Sequence, residues 1–111
     1  MITIDHYPNA ISVRVALTES ALDRRATIHV VSKDAATNAS IAKAIETTPR
    51  SADASRADLR YAIIFADSNG KAERIYLDRF GLRGSVNGHP VRFANDAIKR
   101  ALIKAYPNLA E

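Results

Sequence analysis

Residues 61–80 read YAIIFADSNGKAERIYLDRF, and this stretch decides the fold. YAIIFAD (61–67) is the most apolar run in the chain. Strand periodicity puts Tyr61, Ile63 and Phe65 on one face and Ala62, Ile64 and Ala66 on the other. Apolar residues on both faces predict a strand at the centre of a sheet, covered on each side. Ser68-Asn69-Gly70 then carries the residues of a tight hairpin turn. The return strand is AERIYLDRF, with Ile75 and Leu77 inward and Arg74, Tyr76 and Asp78 outward. An antiparallel hairpin is thus the seed of the fold.

Working outward, Gly81 and Gly84 bracket Leu82-Arg83 and mark a turn or bulge. SVNGHPVRF (85–93) repeats the hairpin grammar. Asn87 and Gly88 both accept the positive φ that a type I′ turn demands. His89 is then the first residue after the turn, a solvated rim position. Pro90 cannot donate to a ladder, so its strand lies at an edge or begins at a non-bonded position. From Asn95 the period becomes helical. Asn95 or Asp96 caps the helix, and Ala97, Ile98, Ala101, Leu102 and Ala105 form its apolar stripe. Lys99, Arg100 and Lys104 lie off the stripe, and Pro107 ends the helix.

Upstream, ISVRVALT (11–18) alternates as a half-buried strand. ESALDRRA is a loop or a single helical turn. TIHVV (27–31) is a second strand, with Ile28 and Val30 opposite His29. Ile41, Ala44 and Ile45 fall at helical spacing, in a helix capped by Thr37 or Asn38 and stopped by Pro49. PRSADASRAD (49–58) reads as a long loop or weak helix. The expected architecture is α+β over residues 1–111 as a single domain. An antiparallel sheet of about five to six strands carries an internal helix and a C-terminal helix on one face.

Composition narrows the chemistry. At 111 residues, the chain can bury a core without staples. There is no cysteine, which removes disulfides, thiolate nucleophiles and zinc–thiolate sites. MITIDHYPNA lacks the basic start and apolar core of a signal peptide; the chain fits a cytoplasmic protein or a mature exported form. No apolar run approaches the ~20 residues of a membrane span. The possible bases His6, His29 and His89 have no Gly-x-Ser-x-Gly elbow and no metal-ligand spacing beside them. Four glycines supply no phosphate-cradling loop. Asp67-Ser68-Asn69-Gly70 lacks the downstream glutamate of a calcium loop. The expectation is a protein without enzymatic activity, cofactor or metal.

The net charge is +4, and its distribution is uneven. Residues 1–70 balance at eight basic and eight acidic side chains, whereas residues 71–110 carry eight against three. The excess in the last third suits an acidic partner. A protein partner is the first reading, through an outward basic sheet face of Arg74, Tyr76, Arg79, Arg83 and Arg92, since Arg and Tyr are favoured in interface cores. Inhibitors, immunity factors, adaptors and assembly subunits are proteins of this kind, and a homodimer through an unpaired edge strand is compatible with the pattern. The alternative is nucleic acid, with Lys99, Arg100 and Lys104 neutralising phosphates. The order of a helix, a three-strand meander and a basic last helix resembles the double-stranded-RNA-binding domain. Ala94-Asn95-Asp96 stand where that family has its dense lysine motif, so no residue carries over. Stacking aromatics for single strands are also scarce, with Tyr76 and Phe80 the candidates.

Overall fold

A computed structural model describes residues 1–7, 12–13, 28–53, 57–66 and 69–110. It is α+β, as the sequence predicts. The strands are β1 (Ile2–His6), β2 (Ser12–Val13), β3 (Ile28–Ser32), β4 (Arg50–Ala52), β5 (Ala57–Ala66), β6 (Ala72–Asp78), β7 (Arg83–Val86) and β8 (His89–Phe93). The helices are α1 (Ala35–Thr47) and α2 (Ala97–Ala105), followed by a 3-10 turn at Pro107–Leu109. Seven strands run in the order β3-β1-β5-β6-β7-β8-β4, every neighbouring pair antiparallel. The two residues of β2 pair with the start of β5. The sheet is therefore somewhat wider than the five to six strands expected.

β5 and β6 lie in the interior of the sheet, as their apolar pattern requires. Directly paired residues carry one apolar row across the helix-facing side: the half-buried Val30, then the buried Ile4, Ile63, Ile75 and Val86. Ile41 and Ile45 of α1 and Ile98 and Leu102 of α2 close over it. Leu109, from the turn after α2, joins the same core, and the buried Tyr61 hydroxyl donates to its carbonyl at 2.8 Å. At the other end of the layer, the Tyr106 hydroxyl donates to Ser32 Oγ at 2.5 Å, and Ser32 donates to Asn38 Oδ1 at 2.6 Å. These bonds tie the C-terminal segment and α1 to β3.

The opposite face of the sheet is also buried at its centre. Tyr7, Leu59, Ala62 and Tyr76 are inaccessible to solvent yet lie outside the helix-side core. One paired row on this face runs His29, Asp5, Ala62, Tyr76, Ser85 and Pro90. β5 carries a bulge between Leu59 and Tyr61, an extra residue that lets both Leu59 and Ala62 face this side.

Several local readings change. β1 was not expected as a strand, although Ile2 and Ile4 alternate with Thr3 and Asp5. Of the strand expected over 11–18, Ser12–Val13 is described and the rest, with the loop after it, lies outside the described residues. The cap of α1 is Asp34, whose carboxylate accepts from the Thr37 backbone N–H at 2.8 Å and the Thr37 hydroxyl at 2.7 Å. The helix thus begins one turn before the expected Thr37 or Asn38. Arg50–Ala52, expected as loop or weak helix, forms the outer strand β4 against β8. β8 is therefore covered on both sides. Pro90 sits one position beyond the hairpin's closing pair Val86–His89. There its missing N–H points away from β7, and on that side its carbonyl accepts from the Asp53 N–H just past β4.

Candidate interaction surface

The turn between β6 and β7 is built around Asp78. Its buried carboxylate accepts from the backbone N–H groups of Leu82 at 2.9 Å and Arg83 at 3.3 Å. Its carbonyl accepts from Gly81 at 3.1 Å. Asp78 spends its side chain on holding a loop in shape, as aspartates in turns do. The expected outward row of Arg74, Tyr76 and Asp78 does point away from the helices. Two of its three members, Tyr76 and Asp78, are nonetheless buried.

This closed turn leaves its apolar residues outside. Phe80 is 60% exposed and Leu82 40% exposed. The Arg79 guanidinium lies over the Phe80 ring, 5.4 Å from its centroid, a cation–π arrangement that holds both side chains at the surface. The first turn of α2 backs the loop. Lys99 Nζ donates to the Arg79 carbonyl. Gly81, at φ +72°, lies so close that an added Cβ would come within 2.6 Å of Lys99 Cβ.

The neighbouring strand ends add two more cations. Arg83 and Arg92 stand directly opposite each other on β7 and β8, a repulsive cross-strand pair. Asp53, just past β4, relieves it, with Oδ2 at 3.7 Å from Arg83 Nε and 3.5 Å from Arg92 Nε. The Asp53 backbone N–H donates to the Pro90 carbonyl at 3.0 Å, fixing that carboxylate in place. One carboxylate thus stands between two guanidinium groups.

Arg79, Arg83 and Arg92 are thus brought together at one end of the sheet, around Phe80 and Leu82. Arg74 is not among them. It lies four residues before Asp78 on β6, about 13 Å along the strand, with its Nη1 donating to the Tyr76 hydroxyl at 3.1 Å. The structure also separates the three cations of α2. Lys99 serves the β6–β7 loop. Arg100 pairs with Asp96 at 2.7 Å. Arg100 and Lys104 instead border a shallow depression between the helices, joined there by Lys43 of α1.

Sequence reasoning missed Asp53, Leu82 and Lys43. Asp53 falls in the stretch read as a long loop or weak helix, and Lys43 meets α2 only through tertiary packing. For Leu82, the glycines on either side were a usable signal of an exposed loop tip. The histidines occupy three separate places. His89 is exposed beside its turn, as expected. His6 is buried and stacked on Tyr61, with ring centroids 4.8 Å apart and planes 14° apart. His29 contacts the buried Asp5 through Nδ1. Among the described residues, no helix is long and apolar enough to cross a membrane. Compared with protein-family models, with curated proteins and with solved structures, the chain matches none.

Proposed function

We propose that the protein is a non-enzymatic binding module that docks on an acidic patch of another protein through the β6–β7 end of its sheet. The observation that carries this reading is the exposure of Phe80 and Leu82 on a braced loop ringed by Arg79, Arg83, Arg92 and Lys99. Exposed apolar side chains on a well-held turn suit a partner's pocket. Arginines around them suit carboxylates and steer the encounter. Arg74 and Tyr76 drop out of the contact set, Arg74 by position and Tyr76 by burial.

A second reading, nucleic-acid binding, is supported by Lys43, Arg100 and Lys104 around the depression between the helices. Binding to mixed DNA and RNA probes at two salt concentrations separates the two. Six to ten phosphate contacts lose about 10³–10⁵ in affinity between 50 and 200 mM salt; a slope of that steepness, abolished by Lys104→Glu, would replace the protein reading. In the other arm, a partner captured with the native chain is titrated against Phe80→Ala. Loss of a central aromatic anchor weakens such a complex about 30-fold, the equivalent of ~2 kcal/mol. Unchanged affinity for both Phe80→Ala and Arg92→Glu would remove this surface from consideration.

A further inference from the structure

The two edges of the sheet are treated differently. On one edge, β4 is only three residues long, follows Pro49, begins with Arg50 and is succeeded by Asp53. Shortness, proline and charge are the devices by which sheets discourage pairing with further strands. On the other edge, β3 is longer, has no proline beside it, and meets charge only after its last residue, at Lys33 and Asp34. Its sequence is IHVVS, five residues without lysine, proline, glycine or bulge. Among the described residues, β3 pairs with β1 alone. Large exposed apolar side chains among those residues occur in two places. Phe80 and Leu82 mark the β6–β7 turn. Val31, 44% exposed, and Met1, 76% exposed, mark the β3 side of the sheet.

We propose that β3 is a homodimer interface, pairing antiparallel with β3 of a second copy so that the two sheets become continuous. A two-fold axis at Val30 places Val30 opposite Val30 of the second copy, His29 opposite its Val31, and Ile28 opposite its Ser32. Faces are preserved in this register, because residues opposite each other in an antiparallel pair share a side of the sheet. Val30 and Ile28 extend the helix-side core row across the axis. Val31 stands beside His29 of the other chain, and Ile28 takes the position opposite Ser32, whose hydroxyl is already buried against Tyr106 and Asn38.

Charge favours a second copy at this edge. The strand IHVVS contains no lysine, arginine, aspartate or glutamate, so self-pairing sets no two of these charges opposite each other. Arg79, Arg83, Arg92 and Lys99 lie towards the opposite edge, near β7 and β8, so two chains of net charge +4 meet by their neutral sides. An equivalent pairing through β4 would bring Arg50 and Arg92 towards their own copies. The β3 pairing is isologous and closes on itself, leaving β4 as both outer edges.

The experiment is sedimentation velocity on the purified chain, from low micromolar to several hundred micromolar, for the native protein and Val31→Lys. The expected result is a native species that shifts from 12.1 kDa to twice that mass, and a Val31→Lys chain that stays monomeric with an unchanged circular dichroism spectrum. A native chain that remains monomeric throughout overturns the proposal. So does dimerisation that survives Val31→Lys, or growth beyond the dimer. Hydrogen exchange on the native chain does not depend on the variant folding. Amides of β3 are expected to gain protection with concentration while those of β4 do not, and the absence of that difference also overturns the proposal.

Discussion

Gly84 and Gly88 are four residues apart and are glycine for different reasons. Gly88, at φ +83°, follows Asn87 at φ +51° in the turn joining β7 to β8, and a Cβ there would meet nothing within 4 Å. Its substitution by alanine carries backbone strain alone, about 1–2 kcal/mol. Gly84 lies in β7, where a Cβ would fall 1.7 Å from the Tyr76 carbonyl oxygen. Relief would have to come from backbone, so Gly84→Ala is expected to cost about 3 kcal/mol or more. Chemical denaturation of the two variants side by side tests the contrast. Asp34 makes a prediction in pH. The Thr37 hydroxyl first, and then its backbone N–H, hold the carboxyl below its ordinary 3.8. A depressed folded-state value stabilises the native chain above the unfolded value, and that contribution is lost as pH falls through the folded one. Relative to Asp34→Asn, which caps without titrating, the native chain should therefore lose stability as pH falls below about 3.8, as acid titration of the two melting curves would show.

At the scale of elements, α2 was legible because one face decides it. Ile98 and Leu102 are buried, with Ala101 packed against the same core. Leu102→Ala should cost about 2–5 kcal/mol, measurable as a lower denaturation midpoint with an unchanged slope. β5, β6 and the β7–β8 hairpin were equally legible, since alternation and Asn-Gly turns are local signals. β1 was not. ITIDH is short, and two of its residues, Asp5 and His6, are polar yet buried. Such residues look like surface until a neighbouring strand supplies a partner, here His29 for Asp5 and the Tyr61 ring for His6. β4 was missed for a related reason. RSA has no apolar pattern, and its three residues are strand only because β8 lies beside them with backbone groups to pair.

For the whole molecule, β1 has a consequence out of proportion to its length. It lies between β3 and β5, so residues 1–7 join one edge of the sheet to its middle. Deleting them should abolish cooperative unfolding in circular dichroism, whereas a peripheral strand would cost only a lower midpoint. The candidate surface was legible in part. Arg79, Arg83 and Arg92 could be named from a charge excess in the last third of the chain, and they do converge at one corner. Tyr76 and Arg74 were assigned to the same surface because strand periodicity reports which side a residue faces. It does not report what the rest of the fold lays over that side, which is why Tyr76 is buried, whereas the distance of Arg74 from the turn was readable from its spacing. By itself the sequence determined the α+β class, the two hairpins, the helix stripes and the location of the positive excess, because each follows from periodicity, turn chemistry or counting within a short window. Only the tertiary structure decided that Tyr76 and Asp78, on the outward side of β6, are buried as well. It also decided that Asp53 bridges two arginines, that Lys99 parts from Arg100, and which strands form the edges. Those depend on residues tens of positions apart being brought within a few ångströms, and nothing local in the chain encodes which ones meet.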